Sequence, residues 1–152
     1  MKNCTSDGIS LSDWEKVEDL AIEFTNVTLS DSDNSVFREK LTRLLTDLED
    51  KYGRLPSLLA TEADFILDKK RALSLLKEAY VCALELNDEQ NLSYISSSIV
   101  EFYNDENNIK LIAFWLEIFK KHLINHNDDY LTSIYDDVLV RVCGEGSDCK
   151  GN

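Results

Sequence analysis

With one proline and five glycines in 152 residues, the chain has few places where the backbone must break or turn, which argues against a loop-rich β-sandwich. Long apolar runs are also missing. No stretch reaches the ~18 consecutive apolar residues of a membrane span, and the opening MKNCTSDGISLSDWE has no apolar segment of the secretory type. A cytoplasmic protein is therefore expected. The four cysteines, Cys4, Cys82, Cys143 and Cys149, are too sparse for a disulfide scaffold, so reduced thiols are expected. Positive charge is scarce: 16 Lys and Arg stand against 29 Asp and Glu, for a net charge of −13. Nucleic acid and anionic membrane surfaces need a basic face and are excluded as partners. There is no G-x-S-x-G and no phosphate-cradling glycine loop, so no catalytic residue, enzyme activity or cofactor is expected.

What is present is helical periodicity. Apolar residues make up 43% of the chain and recur at three- and four-residue steps. Ser12 and Glu15 stand at capping-box spacing before a first helix with Trp14, Val17, Leu20, Ala21, Phe24 and Val27 inward and Asp13 among the outward acids. Further helices are expected over 36–52, from Pro56 to about Ile66, and over 69–86, 89–103, 108–124 and 129–142. Gly53, Asp68, Asn87-Asp88 and Asn104–Asn108 supply the punctuation. The expected fold is a single all-α domain over 1–152, about seven helices in stacked antiparallel hairpins. Residues 1–10 read as a flexible lead-in and 143–152 as a flexible tail.

In RALSLLKEAYVCALEL, Ala72, Leu76 and Ala79 match the small, large and small packing positions of the second helix of a tetratricopeptide repeat, and residues 89–124 supply a helix pair of about that period. The signature Trp-x-x-Leu-Gly is absent, so an irregular helical bundle stands beside the TPR-like reading. In size, charge and the run ALSLLKEAYVCALELNDEQNLSYISSSIVEFYNDENN, the chain resembles the immunity proteins of bacterial contact-dependent growth inhibition and polymorphic toxin systems. That resemblance implies a non-catalytic inhibitor that binds a basic, nuclease-type toxin domain. The alternative is an adaptor or chaperone that holds a peptide or helix of a partner.

Candidate partner-binding residues are acids beside tyrosines near helix ends: Glu101, Tyr103, Asp105 and Glu106 in one group, and Asp128, Asp129, Tyr130, Tyr135, Asp136 and Asp137 in another. A tyrosine ring contributes contact area while its hydroxyl and the carboxylates meet donors. The competing reading makes the acids a solvated surface, Tyr135 a core residue and Tyr130 a half-exposed cover. His122 and His126 are spaced i, i+4 as metal ligands can be, but lack the Glu of H-E-x-x-H, and no metal is expected. The apolar stripes and caps account for the core by themselves. Circular dichroism should therefore show a helical spectrum whose melt is unchanged by chelator or reductant.

Overall fold

The computed structural model describes residues 3–145. These form an all-α structure of seven helices: α1 (Leu11–Leu29), α2 (Ser35–Tyr52), α3 (Pro56–Phe65), α4 (Lys69–Glu85), α5 (Glu89–Asp105), α6 (Ile109–Asn125) and α7 (Asp129–Glu145). The chain divides into two compact units, 1–75 and 76–152, with the division inside α4.

In the first unit, Ile9, Val17, Leu41, Leu45, Leu48 and Leu58 form a core against which Trp14, Leu20, Leu44, Tyr52, Leu55 and Phe65 pack. Ile9 belongs to what the sequence suggested was a flexible lead-in, yet its side chain is fully buried. Residues 4–10 close a turn: Cys4 and Ser10 pair as an isolated bridge, and Thr5 N–H donates to the Ile9 carbonyl at 2.7 Å. The turn also caps another helix. Leu55, at the N-cap of α3, has no side-chain acceptor, and Asp7 Oδ2 takes the Ser57 N–H at 2.7 Å in its place. Proline at the first position of α3 removes one further orphan donor.

The start of α1 differs from the sequence reading in two ways. Its cap is Ser10, whose Oγ accepts the Asp13 N–H at 3.1 Å, and not Ser12. Ile9 before the cap and Trp14 four positions into the helix share one core cluster, the arrangement of a hydrophobic staple, and this fixes the register. Asp13, expected on the water face, is buried. Its Oδ2 accepts from Tyr52 Oη at 2.6 Å and Lys51 Nζ at 2.7 Å, and its Oδ1 from Lys16 Nζ at 3.3 Å. The Lys51 ammonium, with the Tyr52 hydroxyl next, holds its carboxyl far below the usual range. One carboxylate thus ties the first turn of α1 to the last turn of α2. Gly53 then ends α2 at φ +93°, a region that favours glycine.

The second unit is built on α5, which buries Leu92, Ser93, Ile95, Ser96, Ser97, Ile99, Val100 and Tyr103 and so faces packing on nearly every side. The serines let neighbours approach, and two of them return their hydroxyls to their own helix: Ser96 Oγ to the Leu92 carbonyl and Ser97 Oγ to that of Tyr94, both at 2.6 Å. α6 packs on α5 and α7 on both. Tyr94 bonds Asp128 and Asn104 bonds Arg141, so α7 runs alongside α5 in the same direction. His122, near the end of α6, meets Glu89 at the start of α5, so α6 is antiparallel to them.

α7 extends three residues beyond the expected Val142, taking in Cys143 to Glu145. Cys143 is half-buried, which gives this last turn packing that a solvated tail would lack. The remainder of the expected tail, including Cys149, lies outside the described residues.

If the lead-in belongs to the first core, Ile9→Ala should destabilise the first unit by about 2–5 kcal/mol, the usual cost of truncating a buried isoleucine. Urea unfolding followed by tryptophan fluorescence, which Trp14 reports, checks this. An unchanged midpoint would show the turn to be dispensable.

Candidate protein-interaction face

Asp128 is the first residue of the candidate face, and its placement follows from backbone chemistry. It precedes α7, its Oδ1 accepts the Leu131 N–H at 3.0 Å, and its carbonyl takes the Thr132 hydroxyl at 2.9 Å. This is an N-cap, with the anion at the positive end of the helix. Its second oxygen, Oδ2, accepts from Tyr94 Oη at 3.1 Å across from α5. The Leu131 N–H, and after it the Tyr94 hydroxyl, lower the Asp128 pKa against the opposing effect of burial. Burial and the Asp128 carboxylate raise that of Tyr94.

Two turn positions later, Tyr130 is 67% exposed, and Tyr94 is 40% exposed. Asp129 is exposed between them in sequence and begins α7. The structure therefore brings together Asp128, Asp129 and Tyr130, as the sequence suggested, and adds Tyr94, which sequence reasoning passed over. Its signal was available: Tyr94 interrupts the apolar stripe of α5 between Leu92 and Ile95.

The other candidates are placed elsewhere. Glu101 and Asp105 are exposed on the last turns of α5 and Glu106 is its exposed C-cap, about 10 to 18 Å along the helix from Tyr94 at 1.5 Å per residue. Loss of solvation, then the Asp105 carboxylate one turn away, raises the Glu101 pKa. Tyr103 does not stand beside them as a surface ring: it is 7% exposed and packs edge-on against Phe102 at 5.5 Å. Position 103 continues the Ile95, Ile99 face of α5, and helical spacing points it inward. Tyr135 is half-buried against Phe119, ring centroids 6.0 Å apart, and burial followed by Glu117 and Asp136 raises its pKa. Asp136 and Asp137 are exposed midway along α7. The ten candidates thus form no single patch, and the Tyr94–Asp128–Tyr130 end is the one that combines exposed aromatic surface with acids.

The histidines also have definite places. His122 lies between Tyr80 and Glu89: its Nε2 is 2.8 Å from Tyr80 Oη and its Nδ1 is 3.0 Å from Glu89 Oε2. Both ring nitrogens are engaged, and the Tyr80 ring packs edge-on against Trp115 at 5.4 Å. His126 is the C-cap of α6. Among the described residues no three His, Cys, Asp or Glu side chains converge as a metal site. No helix among them is long and apolar enough to cross a membrane.

No family model matches the chain, and neither the curated proteins nor the solved structures yield a match.

Because the folded-state pKa of Asp128 is lowered, its contribution to stability is complete above the ordinary carboxylate range, near pH 4, and is lost as pH falls through the lowered value. Asp128→Asn keeps a good capping side chain but cannot titrate. In urea titrations below about pH 4, the parent should therefore lose more stability relative to pH 7 than the variant does. Equal losses would show that Asp128 is not linked to the fold.

Proposed function

We propose that this chain is a non-catalytic, acidic binding protein that docks a basic protein partner on the Tyr94–Asp128–Asp129–Tyr130 face, and that it acts as an immunity-type inhibitor of a nuclease-type toxin domain. The observation that carries the reading is the pair of exposed tyrosines held beside two carboxylates in a chain of net charge −13. Tyrosine is enriched among the residues that dominate binding energy, and acidic surroundings steer a basic partner to the site. A toxin domain that binds nucleic acid must carry a basic surface, and an acidic inhibitor fits that surface. The toxin assignment rests on the sequence resemblance.

An adaptor that holds a peptide is the second reading, favoured by the regular helices of the second unit, each 17 residues long from α5 to α7. Recovery of bound protein from the source cell, identified by mass spectrometry, separates the two. A basic toxin domain supports inhibition, and an extended acidic or neutral peptide supports the adaptor.

With the partner in hand, Tyr130→Ala should weaken binding about 30-fold or more, the effect of losing about 2 kcal/mol at a central aromatic anchor. Asp129→Asn should slow association and flatten its salt dependence. The amide variant of Glu101, Asp105 and Glu106 should bind as the parent does. If the Tyr130 and Asp129 variants retain parental affinity and salt dependence, the interface lies on another face.

A further inference from the structure

A second site lies in the first unit. The α2 face carrying Leu45 and Glu49, the α3 face carrying Leu58 and Glu62, and Arg71 and Leu75 of α4 enclose, with Arg54, a cavity of about 200 Å³. Its floor is apolar: Leu45, Leu58 and Leu75 are 6%, 2% and 7% exposed. Two ion pairs border it, Arg54 Nη1 to Glu49 Oε1 at 2.8 Å and Arg71 Nη2 to Glu62 Oε1 at 3.1 Å.

Three properties define what would fit. The volume is below the roughly 300–1,000 Å³ of pockets for drug-sized ligands, so the occupant is small. The lining holds two guanidiniums and two carboxylates, so an occupant of one sign would gain from one pair of charges and be opposed by the other. The apolar floor adds a place for a short hydrocarbon group. A guanidinium also has five N–H donors and can bind a second carboxylate without releasing its first.

The stretch of sequence that supplies Arg54, Glu62 and Arg71 to the lining is also unusual within this chain. From Lys51 to Arg71 the chain carries Lys51, Arg54, Lys69, Lys70 and Arg71 against Glu62, Asp64 and Asp68, a local excess of base in a chain of net charge −13. Lys69, Lys70 and Arg71 occupy the first turn of α4, where the helix dipole disfavours cations. A local rule broken beside a cavity is a mark of a site.

We infer that this cavity binds a small zwitterion, an α-amino acid with an aliphatic side chain. Its carboxylate pairs with Arg54 and Arg71, its ammonium with Glu49 and Glu62, and its side chain lies on the three leucines. This site is independent of the protein-binding face.

The test is a titration of the ¹⁵N-labelled full chain with L-leucine, read by amide chemical shifts. Two controls each carry one charge on a similar skeleton, 4-methylpentanoate and 3-methylbutylamine. Saturable shifts confined to residues around Thr46, Leu58 and Leu75 are expected for leucine, with each control at least tenfold weaker. Arg71→Met and Glu62→Gln change exposed or half-exposed side chains, and the spectrum of each variant reports its folding directly. Each should weaken leucine binding at least tenfold. Absence of saturable shifts, equal binding of a control, or unchanged affinity in both folded variants would overturn the assignment.

Discussion

Helix ends set the dimensions of the later part of the chain. A helix leaves four N–H groups unpaired at its start, and here the acceptors that meet them recur on a fixed beat: Asp68, Asp88, Asn108 and Asp128, each twenty residues after the last. Immediately before the two middle caps, Asn87 and Asn107 take positive φ, 53° and 56°, and end the preceding helices. There Asp88 N–H returns to the Ala83 carbonyl at 3.0 Å and Asn108 N–H to that of Tyr103 at 3.1 Å, bonds of the Schellman type. Asparagine tolerates this conformation better than other non-glycine residues. Each helix is consequently 17 residues, about 25 Å long. Ala79, Ile99 and Phe119, again twenty apart, are all fully buried. The cap at Asp128 is also what places Tyr130 in the first turn of α7 and gives Tyr94 its acceptor, so the candidate face follows from the same backbone requirement.

The first unit solves its end problems through tertiary contacts. Asp7 caps a helix fifty residues later, and Asp13 anchors the two residues that close α2. Asp13 is buried among three partners and Asp7 is half-buried between two, so the loss of any one weakens the compensation of a charge that water reaches poorly. That makes the 4–10 turn and the α2 terminus mutually dependent: Tyr52 also accepts the Ser10 N–H at 3.2 Å, so the N-cap residue of α1 and the last residue of α2 share a network. A seemingly polar leader is held by one buried isoleucine and a set of hydrogen bonds whose partners lie about forty to fifty residues away.

This contrast explains what could be read from the sequence. The helices and most of their punctuation were legible because they depend on local spacing and on caps, and Asp68, Asn87-Asp88 and Gly53 act as expected. Asp13 was not legible. Its surroundings are polar, and nothing within α1 marks it as buried, because its partners Lys51 and Tyr52 arrive from α2. Ile9 is a single apolar residue outside any stripe. Tyr103 is different: its position four after Ile99 places it on the buried stripe of the fifth helix, and that reading holds against the one that made it a contact residue beside acids. The twenty-residue beat was present in the sequence, but a search for pairs of about 34 residues, the tetratricopeptide period, does not find it. At the candidate face, Asp128, Asp129 and Tyr130 were close in sequence and hence visible, whereas Tyr94 joins them only through the parallel packing of α5 and α7.

The structure also changes the meaning of the net charge. Asp7, Asp13, Asp68, Asp88 and Asp128 each accept hydrogen bonds that secure a helix end or join two helices, so part of the acidity of the chain is architectural. Those groups contribute to the long-range field but have little freedom to rearrange around a partner. Asp129, Asp136 and Asp137 are exposed on α7 and can act at short range. Exposed carboxylates in water gain little from a single ion pair, typically below about 1 kcal/mol. Two tyrosine rings that lose their remaining exposure gain more, because aromatic surface is large and these rings are already oriented, Tyr94 by Asp128 and Tyr130 by the helix start. For the proposed basic partner, the acids of such a face would govern how fast and how selectively it arrives, and the tyrosines how long it stays.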